Sequence, residues 1–597
     1  MIHSMSRALL ASLLILISGV LRAAPVLPLT DLVDERTMAV LSIADTPALL
    51  RGWDGSPFAR TWGDAQVVKF FAPLREQIKI EEWDADAKAA TGCTVRELLA
   101  LAEGEALLAV PATDLSKTDK TNTPPFLLAL RVGAHVDQLE KLLADTALKN
   151  EVREETEIFA GATVHVRPLK KTTEGAKERV LVWAIVDGTW LLSLEKERVF
   201  VAIDALRRGG VDGALGKSEP FLRVRERCND AQVLFYLNVA ALYPVLRDTV
   251  SAQAGTDGKP RPLGLDPKTV LSGLGIDAIG EAYGSLRFGE KETRIDFGLT
   301  YTAERGLLKL LAYGTGVSSQ PNWIPAKWPC VSTARFDLGL AYAGLEELLA
   351  SISPMLFGMA QGQIHAWNLK LGIDLKRDLV GSLGDEVVSG VALPPDLDAG
   401  TTPRWDQMDQ LFAISLKNVE AFTKAIEALK QLSGPAADRL FTKRDYLGQT
   451  LYTASQQGPA GATSRRGLTY AIANRTVLIG LGSPATVENA LQGMADNQGL
   501  FWKRDDIKAA LADMPADISG IQFQDLRVLV ASLFETIAHL QDADTKAKSS
   551  GQGKPFVDVS AKPDPEVIAL YWGLASGYSV KTPVGIFGTT RIAYPQP

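Results

Sequence analysis

The segments Thr156-Glu-Ile-Phe-Ala-Gly161-Ala-Thr-Val-His-Val-Arg167 and Val180-Leu-Val-Trp-Ala-Ile-Val-Asp187-Gly188-Thr-Trp-Leu-Leu-Ser-Leu194 set the fold class. Each is rich in β-branched, aromatic and aliphatic residues and is broken in the middle by a two-residue turn signal, Ala160-Gly161 or Asp187-Gly188. Asp-Gly favours a type I′ turn, whose twist matches that of paired strands. Strands joined so tightly are antiparallel. Upstream, residues 126–132 read as a further strand. Residues 135–148 read as an amphipathic helix with Val136, Leu139 and Leu143 on one face. Downstream, 197–207 read as helix. The class is therefore α+β, an antiparallel sheet of hairpins with helices expected to pack on one face.

The same text returns later in the chain. Phe159-Ala-Gly161-Ala-Thr163-Val164 recurs as Tyr446-Leu-Gly448-Gln-Thr450-Leu451, and Ala184-Ile185-Val-Asp-Gly-Thr189 as Ala471-Ile472-Ala-Asn-Arg-Thr476. Gly92 through Gly104-Glu105 matches Gly372 through Gly384-Asp385, and residues 230–238 match 517–525. Val136, Leu139 and Leu143 have counterparts in Val419, Phe422 and Ile426. Polar stretches correspond too: 113–125 with 394–404, 170–178 with 455–466, 252–266 with 542–565. Such colinearity points to a tandem duplication. The expected division is a signal peptide over 1–23, an N-terminal linker over 24–34, copy 1 over 35–318 and copy 2 over 319–597. The join lies near 318–329, where Pro321 and Pro325 interrupt any regular element.

Four strand ends carry an acid or amide before a helix: Asp45, Asn238, Asp337 and Asp525. Each is placed to cap that helix by accepting from its free backbone N–H groups. Of 597 residues, 46 % are hydrophobic and 22 % charged, as in ordinary folded proteins. With 63 Lys+Arg against 70 Asp+Glu the net charge is −7, and no basic tract offsets it, which argues against nucleic acid as a partner. Cys93, Cys228 and Cys330 are too few and too scattered for a disulfide framework. At the start, Arg7 precedes an apolar run over 8–21, followed by Arg22-Ala23-Ala24-Pro25. This reads as a secretory signal cut best after Ala23, too short to span a membrane. Uncut, it would serve as an N-terminal anchor. The expected location is the periplasm or cell envelope, free or tethered, with no membrane-spanning helix in the mature chain.

Met38-Ala-Val-Leu-Ser-Ile-Ala-Asp45-Thr-Pro-Ala-Leu-Leu-Arg-Gly-Trp53 leads into Ser56-Pro57-Phe58-Ala-Arg-Thr-Trp62 and Phe70-Phe71-Ala-Pro73-Leu74. Together with the stretch from Gly92 to the acid after Gly104, it resembles a family of exported bacterial proteins catalogued only as a domain of unknown function. The resemblance covers most of copy 1 and copy 2 weakly. Copy 2 departs at its start, where Ala341-Tyr342-Ala-Gly344-Leu345 has no equivalent of the stretch from Trp53 to Trp62. The resemblance implies the architecture and export, and carries over no catalytic residue.

Sequence signals for chemistry are weak. Gly480-Leu-Gly482-Ser483-Pro484-Ala485 matches a dinucleotide fingerprint, but its strand belongs to a hairpin and copy 1 has Leu194-Glu195-Lys196-Glu197 there. Gly209-Gly210 through Gly216-Lys217-Ser218 lacks the first P-loop glycine, position 211 being Val, and reads as a helix-ending turn with Ser218 capping the next helix. Ser193-Leu-Glu-Lys196 lies at a strand end rather than a helix start. His3, His135, His165, His365 and His539 have no metal-ligand spacing. Glu81-Glu82-Trp83-Asp84-Ala-Asp86 lacks the calcium-loop glycine. Trp323, Trp328 and Trp367 suit core, pocket or interface equally, and Met355-Leu-Phe-Gly-Met359 reads as a core helix segment. No catalytic, cofactor-binding or metal residue is expected, and no cofactor. The leading expectation is a non-catalytic exported binding or scaffold protein with a protein or apolar ligand as partner. The alternatives are a carrier of an apolar ligand such as lipid, and a hydrolase whose site assembles from distant residues.

Overall fold

Both turn signals act as read. In the computed structural model Ala160 and Gly161, like Asp187 and Gly188, have positive φ, as do Leu447 and Gly448, and Asn474 and Arg475. At Arg475, where a glycine would be easiest, the guanidinium donates to the carbonyls of Leu416 and Lys417 and holds the turn. The structure describes residues 27–78, 88, 93–112, 125–149, 154–169, 179–256, 266–314, 316–395, 397–398, 400–432, 441–455, 467–547 and 555–595. The segment Glu81–Asp86 and most of the polar stretches 113–125, 170–178 and 252–266 lie outside them, although residues 252–256, read as loop, continue a helix.

The N-terminal set of elements runs β1 (Ala39–Ile43), α1 (Thr46–Gly55), α2 (Pro57–Gly63), α3 (Ala65–Phe70), β2 (Ala106–Val110), β3 (Leu127–Arg131), α4 (Val136–Lys149), β4 (Glu155–Phe159), β5 (Ala162–Leu169), β6 (Arg179–Val186), β7 (Thr189–Ser193), α5 (Lys196–Arg208), α6 (Glu219–Arg227), β8 (Val233–Asn238), α7 (Val239–Thr256), α8 (Pro267–Gly273), β9 (Ile279–Phe288) and β10 (Glu292–Tyr301). The C-terminal set runs β11 (Cys330–Arg335), α9 (Leu338–Ile352), α10 (Pro354–Leu371), β12 (Leu383–Ala392), β13 (Asp409–Leu416), α11 (Val419–Leu432), β14 (Phe441–Tyr446), β15 (Gln449–Ser455), β16 (Gly467–Ala473), β17 (Thr476–Gly482), α12 (Ala485–Asp496), α13 (Asp505–Ala512), β18 (Gly520–Asp525), α14 (Leu526–Ala547), α15 (Pro565–Ala569), β19 (Leu574–Thr582) and β20 (Gly585–Ala593).

All strands among the described residues form one antiparallel 20-stranded sheet. The pairings place them in the order β4-β5-β6-β7-β3-β2-β1-β8-β9-β10, then β20-β19-β18-β11-β12-β13-β17-β16-β15-β14. The second run repeats the first in reverse. The two sets meet at β10 and β20, where Asp296 stands opposite Thr589. The four strand-end residues do cap: Asp45, Asn238 and Asp337 accept from the N–H three residues on, and Asp525 from that of Arg527.

Helices cover both faces of the sheet, not one. On the first face Val182, Ala184 and Leu191 pack with Val199, Ala202 and Ile203 of α5. On the second face their strand neighbours Trp183, Trp190 and Leu192 pack with Leu139 and Leu143 of α4. The cause is legible in β6 and β7, whose runs are apolar at nearly every position rather than alternating, the pattern of a strand buried on both sides. The C-terminal set does the same, with α12 on the first face and α11 on the second. The segment read as a linker contributes Leu29, Leu32 and Val33 to the first-face core.

Candidate functional site: a cationic cleft at the centre of the sheet

β9 and β10 turn at Gly289-Glu290-Lys291, where the Gly289 N–H donates to the Glu292 carbonyl at 2.8 Å. Because β10 pairs with β20, this turn projects from the middle of the sheet. α1 passes against it so closely that a Cβ on Gly52 would lie 2.7 Å from the Phe288 Cβ. Trp53 and Phe58 set their rings edge-on to Phe288, 5.7 and 6.3 Å away. Between these elements opens a cleft of about 1130 Å³.

Six cations line it: Arg51 from α1, Arg60 from α2, Arg287, Lys291 and Arg294 from the β9–β10 hairpin, and Arg591 from β20. Two carboxylates, Glu290 and Glu292, share the wall. Arg287 is paired with Asp230, Arg294 with Asp296 at 3.0 Å, and Arg591 with Asp513 at 3.0 Å. Burial opposes the charge on Arg294, but Asp296 and Asp230 outweigh it and hold the guanidinium above its usual value. Arg51, Arg60 and Lys291 are exposed and, among the described residues, make no side-chain hydrogen bond or ion pair. A chain of net charge −7 thus concentrates unpaired positive charge in its central cleft. Beneath it, the buried Asp296 carboxylate accepts from Ser285 Oγ at 3.1 Å and from Thr589 Oγ1 at 2.7 Å. One carboxylate is therefore bonded by strands of both sets.

The motifs weighed in the sequence are occupied by the protein itself. At the Gly480–Ala485 turn, the Ser483 N–H and the Thr486 hydroxyl donate to the buried Asp409 carboxylate at 2.9 and 3.2 Å. This carboxylate fills the place a pyrophosphate would take at the start of α12. Lys217 lies 3.6 Å from Asp31, and the Ser218 hydroxyl donates to the Leu215 carbonyl instead of capping α6. Ser193 is buried and donates to the Phe126 carbonyl, while Lys196 pairs with Glu157 at 2.7 Å. The two are not brought together.

His135 contacts the Leu101 carbonyl, and His365 and His539 lie exposed on α10 and α14. His165 meets Glu154 at 2.6 Å and stacks on Trp183 at 3.8 Å. None of these four bonds a serine or cysteine side chain among the described residues, and His3 lies outside them. Among the described residues no group of His, Cys, Asp and Glu is placed to hold a metal ion, and no helix is long and apolar enough to cross a membrane. None of the three cysteines is joined in a disulfide, and burial raises each thiol above its ordinary value. Trp328 is buried against Gly390, 6.3 Å from Trp323, whereas Trp367 is exposed on α10. Met355 and Met359, read as core, are exposed too, and no residue of α10 is buried.

The cleft was not foreseen. Its cations come from three regions of the chain, and only Arg287, Lys291 and Arg294 stand close enough in sequence to form a visible cluster. No family model matches the chain, and neither a curated protein nor a solved structure matches it.

Proposed function

We propose that the chain is a non-catalytic, exported binding protein built as a tandem duplication, and that its central cleft receives an acidic ligand. The observation that carries the ligand class is the set of three cations, Arg51, Arg60 and Lys291, that have no ion-pair partner among the described residues, in a net-acidic chain. Like charges held together in a cleft repel one another and are relieved by an anion, and walls of low dielectric strengthen that field. Duplication is supported by the mirrored strand order and by equivalent turns at Ala160-Gly161 and Leu447-Gly448. Export rests on the apolar run after Arg7. The non-catalytic reading rests on the engagement of Ser193, Lys196, Lys217 and His165 with structural partners.

The test is calorimetric titration with citrate and with pyrophosphate at low ionic strength. Binding is expected, weakening as salt is added. The triple variant Arg51→Gln/Arg60→Gln/Lys291→Gln is expected to lose about tenfold or more in affinity, since each unpaired cation supplies a charge-assisted bond. Absence of binding by the wild type, or equal binding by the triple variant, would overturn the reading.

A further inference from the structure

On the second face of the sheet, Leu108, Leu41, Phe235, Gly284 and Phe297 are successive cross-strand partners on β2, β1, β8, β9 and β10. The four large side chains are 39, 38, 46 and 44 % exposed although they sit on interior strands. The corresponding line in the C-terminal set runs Ser389, Ser332, Gln522, Gly577 and Thr590 on β12, β11, β18, β19 and β20. Strand order, pairing and the central glycine are the same, yet the four other positions are polar.

The polar line is a control built into the molecule. The same sheet positions fold with serine, glutamine and threonine, so strand pairing alone does not require apolar residues there. The two lines also differ in filling. A Cβ on Gly577 would lie 2.8 Å from Gln522 Nε2, and that amide donates to Thr590 Oγ1 at 3.3 Å, so the polar line closes over its glycine. Over Gly284 a Cβ would meet, among the described residues, only the Asp296 carbonyl oxygen, at 3.9 Å. The Phe297 ring leans the other way, over Gly588. The N-terminal line is therefore an open apolar slot beside Phe235, with Leu41 and Leu108 extending it.

The slot and the cleft share a strand face. Phe288, on the cleft wall, is four residues from Gly284 along β9, or about 13 Å. We propose that the ligand is an anionic amphiphile, its acyl or similar apolar chain lying on Leu41, Phe235 and Phe297 and its acidic head held by Arg51, Arg60 and Lys291. This rests on the reading of the cleft as an anion site and adds the chain to it. The charge of the cleft selects an acid over a neutral lipid, and the open slot selects a chain over a small anion.

The experiment displaces parinaric acid, a fluorescent fatty-acid anion, with alkanoates of increasing length kept below their micelle concentrations. Affinity is expected to rise with chain length, by up to about fourfold per methylene while the chain lies on the slot. Leu41→Ser/Phe235→Gln, which installs the residues of the polar line, is expected to abolish that rise and leave citrate binding intact. Unchanged citrate binding also reports that the variant is folded. Arg51→Gln/Arg60→Gln is expected to weaken parinaric acid but not its methyl ester. A wild type that binds citrate but gains nothing with chain length would overturn the slot while sparing the cleft. Acid and ester bound equally tightly would overturn the amphiphile. Chain-length dependence that survives Leu41→Ser/Phe235→Gln would overturn the placement of the chain.

Discussion

Arg167 is a buried cation on β5 that pairs with the Glu154 carboxylate. It donates to Glu154 Oε2 at 2.9 Å and to the Leu143 carbonyl at 3.1 Å, while His165 meets the other Glu154 oxygen. Burial pushes the Glu154 carboxyl up, but the bonds from His165 and Arg167 together outweigh it and hold it below the ordinary range. A carboxyl whose folded-state pKa lies below its unfolded value of about 4.3 contributes stability that is complete at neutral pH. That contribution is lost as pH falls through the folded-state value. Glu154→Gln should therefore cost about 1–3 kcal/mol at neutral pH, since it removes the charge that Arg167 and His165 both bond. Melting temperatures of the two proteins should converge on acidification, and a gap that widened would refute the assignment. At the equivalent place in the C-terminal set, Tyr452 and Tyr470 stack at 4.6 Å with Lys430 Nζ 3.9 Å from the Tyr452 ring, and the carboxylate that pairs with this cation, Glu427 at 2.6 Å, comes from its own helix. Gly482 is a second residue whose identity is forced. Its φ is +117°, and an added Cβ would fall 2.0 Å from Asp409 Oδ1. Gly482→Ala should cost at least about 2 kcal/mol by chemical denaturation, from backbone strain and displacement of that carboxylate. A change near zero would mean that Asp409 does not hold the start of α12.

The burial of both sheet faces makes a prediction about helices. Leu139 of α4 and Ile203 of α5 are each fully buried, on opposite sides of the sheet. Truncating either to alanine should cost about 2–5 kcal/mol. If only one face were core, one of the two would be nearly silent in urea unfolding. Met359, 65 % exposed on α10, should tolerate glutamine within about 0.5 kcal/mol. These contrasts also mark what the chain reveals before it folds. Hairpins and helix caps were legible because Asp187-Gly188 or Asp45 act through their own backbone neighbours. Two-sided burial is written in the unbroken apolar run Val180–Val186, whereas hairpins alone point to the commoner antiparallel sheet covered on one side. The exposure of Met355 and Met359 was not legible at all, because hydrophobicity states what a helix would bury and not which neighbour reaches it. The cleft was hidden for the same reason: Arg60 and Arg591 meet only after twenty strands have been ordered.

At the scale of the molecule, the two sets of elements are joined by more than the β10–β20 ladder. Val67 and Phe70 of α3, from the N-terminal set, are buried with Phe534 and Ala538 of α14 and Ile568 of α15. The Asp558 N–H donates to the Phe70 carbonyl at 2.8 Å, and Tyr571 and Trp572 donate to Asp64 and Thr61 at 2.9 Å each. In the other direction α9 reaches α8, so close that a Cβ on Gly273 would lie 2.7 Å from Ile352 Cγ1. Each set thus extends its first helices onto the last helices of the other, and neither can bury those surfaces alone. The expected consequence is a single cooperative unfolding transition for the whole chain, despite its length. Phe70 is fully buried, so Phe70→Ala should cost about 3–5 kcal/mol. That loss falls on the contact between the sets rather than within one of them. It should therefore broaden or split the calorimetric transition, whereas Leu139→Ala, inside the N-terminal set, should lower its midpoint without splitting it. Two transitions in the wild type, or a Phe70→Ala trace that merely shifts as Leu139→Ala does, would mean that the exchanged helices decorate the join and do not couple it.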